Sequence, residues 1–112
     1  MSFKILATSN FTRQPKAPLL KKYPSLLSDL QKLKTNLSTN PQTGVPLGKD
    51  CFKIRISIAS KGRGKSGGAR VITYVKIVNA TVYLLTIYDK SERETITSKQ
   101  LQFLIELVAS EF

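Results

Sequence analysis

A run of basic side chains without acidic neighbours is the part of this sequence best suited to chemistry. It extends from Phe52 to Arg70 and contains Lys53, Arg55, Lys61, Arg63, Lys65 and Arg70. Surfaces that face only water usually mix both signs of charge. Lys and Arg side chains gathered in this way neutralise phosphates, so the run predicts contact with a polyanion.

The whole chain has the same bias. It holds 18 Lys and Arg residues against 7 Asp and Glu residues, which gives a formal net charge of +11. The excess lies before residue 89, because residues 1–88 carry 15 basic and 2 acidic side chains and residues 89–112 carry 3 and 5. Nucleic acid, a ribosome, an anionic membrane or an acidic protein would suit such a chain as partner.

Missing residue types exclude several kinds of site. The sequence has no histidine, which excludes a histidine general base, a histidine-ligated zinc and a Ser-His-Asp triad. Its one cysteine, Cys51, excludes an intrachain disulfide and a multi-cysteine metal site. A thiol without histidine is a poor nucleophile, so Cys51 is predicted to be a small, semi-buried apolar side chain. We expect no metal and no small-molecule cofactor.

The length predicts a single domain over residues 1–112. No run of about 18 apolar residues exists, and the apolar patch near the N-terminus is too short for a signal peptide. One free cysteine is compatible with a reducing compartment. We therefore expect a cytoplasmic protein that does not enter a membrane.

The clearest strand pattern covers residues 52–59, where apolar and polar residues alternate. Lys53 and Arg55 then project from one face, about 6–7 Å apart. Residues 60–68 contain four glycines and no apolar residue, so they are predicted to form a loop. A β-branched segment predicts a strand over 69–78.

Other strands are predicted on both sides of this region. Residues 3–8 form a short candidate, and residues 81–88 are apolar on both faces, which is typical of a central strand. Asn79 and Ala80 are predicted to form a two-residue hairpin turn. Residues 41–50, with two prolines and two glycines, are interpreted as a loop.

Two helices have clear patterns. Leucines at positions 26, 30, 33 and 37 mark one face of a helix that Asn40-Pro41 ends. Thr97 and Gln100 have the spacing of a capping box, before a C-terminal helix with Leu101, Leu104, Ile105 and Val108 on one stripe. Pro15 and Pro18 predict that any earlier helix starts near Lys16 or is broken.

These elements predict an α+β fold: a small antiparallel β-sheet of about four strands with N-terminal helices and a C-terminal helix. We expect the helices to cover one face, so that Lys53, Arg55 and Arg70 lie on the exposed face. Tyr74 and Tyr83 are expected to fill the core or an edge. Tyr88 ends its strand and suits the core and stacking on a base equally well.

Three stretches of the sequence resemble the RelE/ParE superfamily of bacterial type II toxin–antitoxin toxins, in particular its RelE and HigB-like mRNA interferases. They are Asp50–Arg55 (DCFKIR), Lys61–Ile72 (KGRGKSGGARVI) and Leu84–Glu92 (LLTIYDKSE). The segments Tyr23–Leu26 and Gly44–Gly48 fit as well, and the resemblance covers roughly residues 20–105.

The resemblance implies a RelE-like microbial ribonuclease fold and an endoribonuclease that needs no metal. Such toxins enter the A site of the 70S ribosome and promote attack of an mRNA 2′-OH on the adjacent phosphate. Lys53, Arg55 and Arg70 fall on the family's basic catalytic positions. Lys53 or Arg55 would orient the 2′-OH or assist its deprotonation, and Arg70 would stabilise charge on the phosphate. Arginine stays protonated, which favours electrostatic roles for both arginines.

The segment after the last predicted strand departs from the family pattern. RelE proper has an Arg and then a Tyr there, and the corresponding positions hold Ser91 and Thr97. HigB-like members keep a Lys near position 90, so Lys90 is the candidate phosphate ligand or acid. The predicted RNA- and phosphate-binding residues are Lys61, Arg63, Lys65, Tyr88 and Arg93.

Two other functions stay open. One is a ParE-like toxin of the same fold that inhibits DNA gyrase by protein contact; members of that kind generally lack the basic cluster. The other is a non-catalytic basic module that binds RNA or the ribosome. A toxin needs a cognate antitoxin, and we expect one with acidic segments that cover the basic groove or displace the C-terminal helix.

Overall fold

An α+β fold is present in the computed structural model, which describes residues 2–13, 23–58, 68–89 and 96–112. In chain order the elements are β1 (Lys4–Ala7), α1 (Ser9–Arg13), α2 (Leu26–Thr39), β2 (Val45–Gly48), β3 (Cys51–Ile56), β4 (Ala69–Lys76), β5 (Thr81–Asp89) and α3 (Ser98–Glu111). The predicted fold class is confirmed. The helix expected near Lys16 and nearly all of the loop predicted over 60–68 lie outside the described residues.

The five strands form one sheet in the order β1-β5-β4-β3-β2. Neighbouring strands are antiparallel except β1 and β5, which are parallel. The sheet therefore has one strand more than the four expected. The additional strand is β2, in the segment interpreted as a loop. Its Pro46 fits because β2 is an edge strand, where one row of N–H groups has no strand partner.

Helix α2 covers one face of the sheet. It buries Leu26, Leu30, Leu33 and Leu37, as its spacing predicted. These leucines pack on the apolar side chains that alternate along β3, β4 and β5, which include Ile54, Val71, Val82, Leu84 and Ile87. Each fully buried leucine contributes roughly 1.5–3 kcal/mol by leaving water, so this face supplies much of the driving force for folding.

Helix α3 lies on the opposite face, so the expectation that helices cover only one face is wrong. Its Leu101, Leu104 and Val108 pack against side chains that include Ile72 and Tyr83. The capping box is confirmed: Gln100 N–H donates to Thr97 Oγ1 at 3.1 Å, and Thr97 N–H donates to Gln100 Oε1 at 3.0 Å. An apolar stripe predicts that a helix packs, but it does not say against which face.

A β-bulge interrupts the pairing of β4 and β5. Ile72 pairs with Thr86 whereas Thr73 pairs with Leu84, so Leu85 is the extra residue. Thr8 Oγ1 donates to the carbonyls of Leu84 and Leu85, and Asn10 Nδ2 donates to the Leu85 carbonyl at 3.1 Å. A bulge leaves backbone groups outside the ladder, and the segment that leads into α1 satisfies them here.

The connection between β4 and β5 differs from the predicted two-residue turn. β4 ends at Lys76, a 3-10 turn covers Ile77–Asn79, and Ala80 has a left-handed backbone with φ of 49°. The predicted strand over 69–78 was therefore too long. Val78 is 97% exposed, and β-branched residues favour a strand only where a half-buried pleated surface is available.

Candidate nucleic-acid interface

On the sheet face against which α3 packs, the side chains of β3, β4 and β5 form three rows that run across the strands. The rows are Cys51, Tyr74 and Tyr83; Lys53, Ile72 and Thr86; and Arg55, Arg70 and Tyr88. Successive rows lie about 6–7 Å apart, because side chains on one face are two residues apart along a strand. The predicted alternation of Lys53 and Arg55 with buried isoleucines is confirmed.

Two arginines stand directly opposite each other in the last row. Arg55 on β3 pairs with Arg70 on β4, and Arg70 pairs with Tyr88 on β5. Like charges directly across a strand pair destabilise a sheet. Such a row concentrates positive charge and suits the binding of a phosphate through charge-assisted hydrogen bonds.

Lys53 and Arg55 are accessible to a ligand. Arg55 is exposed and Lys53 is half-buried. Among the described residues, neither side chain takes part in a hydrogen bond or an ion pair. These two cations are therefore the first that an approaching phosphate would meet on β3.

Arg70 occupies a different environment from the one expected. It is 1% exposed, and its Nη1 donates to the carbonyl of Ala69 at 3.3 Å. The expectation that Arg70 lies on an open face is wrong, because its side chain folds back beside its own strand. A guanidinium stays protonated even when it is buried, so the row contains an enclosed positive charge.

Five predicted site residues lie outside the described residues: Lys61, Arg63, Lys65, Lys90 and Arg93. The described residues next to those segments are Ile58 and Gly68 for the first, and Asp89 and Ile96 for the second. Residues 68 and 89 flank the end of the β4–β5 pair where Arg70 and Tyr88 lie, since Ala69 pairs with Asp89. The chain therefore leaves the described sheet beside the last row.

A buried tyrosine–aspartate pair supports the same end of the sheet, and sequence reasoning missed it. Tyr23 Oη donates to Asp89 Oδ2 at 2.6 Å, and Asp89 has no exposed surface. Asp89 directly follows Tyr88, so its side chain projects from the opposite face. An acidic residue at the end of a largely apolar strand was the available signal.

Cys51 lies in the row furthest from the arginines. Its thiol is buried and donates to the carbonyl of Lys49 at 3.6 Å. Burial, together with the carboxylate of Asp50, raises the pKa of the Cys51 thiol to about 12, although Lys49 acts in the opposite direction. The thiol stays protonated at neutral pH, which agrees with a packing role. Cys51 was predicted to be a small, semi-buried apolar side chain; it packs in the core as such a side chain but is fully buried.

In residues 2–13, 23–58, 68–89 and 96–112, no cluster of three or more metal-ligating side chains is present. No helix there is long and apolar enough to cross a membrane. The two arginines of the last row and Lys53 are the described part of the basic run that the sequence singled out.

The family to which the chain belongs follows from its sequence. The pattern of the family described as "RelE toxin of RelE / RelB toxin-antitoxin system" matches residues 3–112. Because the match covers nearly the whole chain, the protein belongs to the RelE toxin family of toxin–antitoxin systems. This membership implies an antitoxin as partner.

A solved structure agrees on the fold. The chain is similar to a double arginine-to-alanine mutant of the E. coli toxin RelE in the free state. The TM-score is 0.59 at 14% identity, over 95% of this chain and 97% of that chain. At this level of identity the likeness concerns the fold, and the function of the row must be argued from its own residues.

Proposed function

We propose that this protein is a ribosome-dependent mRNA endonuclease, the toxin of a type II toxin–antitoxin system, and that it cuts mRNA in the A site without a metal. The observation that carries the proposal is the row of Arg55, Arg70 and Tyr88, with Lys53 one row away. Arg55 is exposed, and a guanidinium group can hold a phosphodiester through two parallel charge-assisted hydrogen bonds.

The reaction is an internal transfer at phosphorus. The 2′ oxygen of one nucleotide forms a bond to the adjacent phosphorus, and the bond from that phosphorus to the 5′ oxygen of the next nucleotide breaks. The 2′ hydroxyl loses its proton, the departing 5′ oxygen gains one, and the products are a 2′,3′-cyclic phosphate and a 5′ hydroxyl. Orientation and charge stabilisation are sufficient to accelerate such a step.

The residues divide this work by their accessibility and charge. Lys53 and Arg55 contact the RNA strand first, because both side chains are accessible. Lys53 orients the 2′ hydroxyl or assists its deprotonation, and Arg55 holds the phosphate. Arg70 stabilises the charge that develops on the phosphoryl oxygens, and it must become accessible when RNA binds because it is 1% exposed in this state.

Residues beyond the described ranges complete the proposal. Lys90 is a phosphate ligand or the acid for the leaving oxygen, and Lys61, Arg63, Lys65 and Arg93 bind phosphates of mRNA or ribosomal RNA. Tyr88 contacts RNA from the last row.

The protein acts as one toxin domain over residues 1–112 in the cytoplasm. Its antitoxin presents acidic segments that cover the cationic row or displace α3.

Inducible expression in a bacterial host, with primer extension on a translated reporter mRNA, tests the proposal. The wild type should arrest growth and give cuts in phase with codons, and Arg70→Ala should abolish both. Arg70→Lys keeps the charge and separates loss of function from loss of folding, and thermal unfolding of each purified variant measures the latter. Growth arrest with intact mRNA would contradict the proposal and favour gyrase inhibition, which a supercoiling assay detects.

A further inference from the structure

A cavity lies beside the last row of Arg55, Arg70 and Tyr88. Its lining residues have no role in the proposed reaction. The cavity has a volume of about 430 Å³ and lies between the start of α3, strand β5 and α1. Six of its lining residues carry the argument: Asn10, Thr86, Lys99, Gln100, Phe103 and Leu104. Its volume lies within the range of about 300–1,000 Å³ that is typical of small-ligand pockets.

An exposed aromatic ring forms one wall of this cavity. Phe103 is 59% exposed, although its neighbour Leu104 is buried. Among the described residues, no other ring packs on Phe103, in contrast to Tyr74, Tyr83 and Phe112, which contact one another. A free aromatic face beside cations is suited to stacking on a nucleobase.

The polar groups of the cavity are partly fixed in orientation. Asn10 Nδ2 donates to the Leu85 carbonyl, which directs the other amide atom, Oδ1, away from that bond. Gln100 Oε1 accepts from Thr97 N–H in the capping box, which leaves Nε2 as a donor. Within the described chain, the Thr86 hydroxyl has no hydrogen bond. The cavity thus offers an acceptor, a donor and a hydroxyl to the edge of a base.

A cation is available for the phosphate of the same nucleotide. Lys99 is exposed, lines the cavity, and makes no ion pair with any described residue. It lies in the first turn of α3, where its charge is not favoured by the helix dipole. A phosphate bound there would offset that cost.

The cavity is close to the proposed reaction site. Thr86 belongs to the row of Lys53 and Ile72, and it is two residues from Tyr88 on the same strand. Two residues along a strand correspond to about 6–7 Å. A single RNA strand that crosses the last row can therefore place a neighbouring nucleotide in the cavity.

We propose that this cavity binds one unpaired nucleotide of the RNA strand, with its base stacked on Phe103 and its phosphate on Lys99. Asn10, Thr86 and Gln100 then contact the base edge and select among bases. The assignment of the nucleotide to the cleaved strand rests on the proposed function, whereas nucleotide binding by the cavity does not. The site would contribute to sequence preference without taking part in the bond-breaking step.

Nuclear magnetic resonance titration of the full-length chain with each of the four nucleoside 5′-monophosphates tests the binding. We expect saturable shifts at the amides of Thr86, Lys99 and Phe103. Phe103→Ala should weaken binding about tenfold, since it removes the ring on which the base stacks, and Phe103→Tyr should restore it. Leu27→Ala is the control, because it removes a similarly exposed apolar side chain from α2.

A 2′-O-methylated trinucleotide, which cannot be cleaved, identifies the source of the nucleotide. Phe103→Ala should weaken its binding, and so should Arg55→Ala, which should leave the monophosphates unaffected. Loss confined to the monophosphates would overturn the assignment to the RNA strand. Absent shifts, or equal affinity in wild type and Phe103→Ala, would overturn the site itself. Because neither assay measures cleavage, failure of the endonuclease proposal would show separately in the primer-extension experiment.

Discussion

The sheet face against which α3 packs is aromatic at one end and cationic at the other, although β3, β4 and β5 contribute to both ends. The aromatic end, which we define as Cys51, Tyr74, Tyr83 and Phe112, is stabilised by packing of its aromatic rings: Tyr83 contacts both Tyr74 and Phe112. The ring centroids of Tyr74 and Tyr83 are 6.0 Å apart, and those of Tyr83 and Phe112 are 5.2 Å apart. At the cationic end, defined as Lys53, Arg55, Arg70 and Tyr88, two arginines are cross-strand neighbours.

This contrast separates stability from function along a single set of strands. Aromatic and apolar packing stabilises the fold wherever it is complete. Opposed cations lower stability, and natural sequences retain such conflicts mainly at functional sites. We therefore expect the aromatic end to hold α3 in place and, under the proposed function, the cationic end to bind RNA. Four predictions test this division, in order of decreasing effect.

Truncation of Leu104 should cause the largest loss of stability. Leu104 is buried between α3 and the sheet, and Leu104→Ala removes its methyl groups and leaves a cavity. We expect the free energy of unfolding to fall by about 2–5 kcal/mol, measured by urea denaturation. Leu27→Ala, on the exposed side of α2, should change it by less than about 0.5 kcal/mol. Equal effects would show that α3 is not held by this packing.

Removal of Arg55 should lower the activity without lowering the stability. Arg55→Ala should lower the rate of mRNA cleavage about 10²–10³-fold, the usual effect of losing one charge-stabilising donor. Its stability should be unchanged or slightly higher, because one of two opposed cations is gone. Cleavage on purified ribosomes and thermal unfolding measure the two quantities. Lys76→Ala is the control, since Lys76 lies at the far end of β4, and comparable loss there would contradict the division.

Tyr23→Phe should have an intermediate effect. It removes the hydroxyl that donates to the buried carboxylate of Asp89 at 2.6 Å. We expect a loss of about 1–3 kcal/mol in unfolding free energy, since a buried acceptor loses a hydrogen bond. Chemical denaturation measures it, and Tyr74→Phe, at a half-buried ring of the aromatic end, serves as comparison. If Tyr23→Phe left the free energy of unfolding unchanged, the pair would not support the end of β5.

The Cys51 thiol should produce the smallest effect, and only in alkaline solution. Its folded-state pKa of about 12 exceeds the usual unfolded value near 8.5. Its contribution to stability is therefore complete below about pH 8.5 and is lost as the pH rises toward 12. Relative to Cys51→Ala, the wild type should lose roughly 1 kcal/mol by pH 9.5. Parallel pH profiles of unfolding for the two proteins would contradict the buried thiol.

Much of the fold could be predicted because local patterns determine it. The leucine spacing of α2, the alternation along β3 and the Thr97–Gln100 capping box each specify an element within a few residues. Strand β2 could not be predicted, because Pro46 and the flanking glycines are turn residues whose tolerance depends on the edge position. The extent of β4 was overestimated, because propensity does not reveal where the neighbouring strand ends.

The candidate site was predicted by residue type but not by environment. The charge run identified Lys53, Arg55 and Arg70, and the alternation placed the first two on one face. The burial of Arg70 could not be predicted from its residue type, because arginine is almost never fully buried unless it is paired. Asp89 was missed because its role comes from Tyr23, a partner distant in the chain.

The salt dependence of RNA binding tests the division between the two ends most directly. The affinity of the full-length protein for a 2′-O-methylated oligoribonucleotide is measured against salt concentration for the wild type, Arg55→Ala and Lys76→Ala. Removal of a cation that contacts a phosphate should reduce the log–log slope by about 0.7. We predict that reduction for Arg55→Ala and an unchanged slope for Lys76→Ala. Equal slopes in all three proteins would contradict the assignment of the cationic end to RNA.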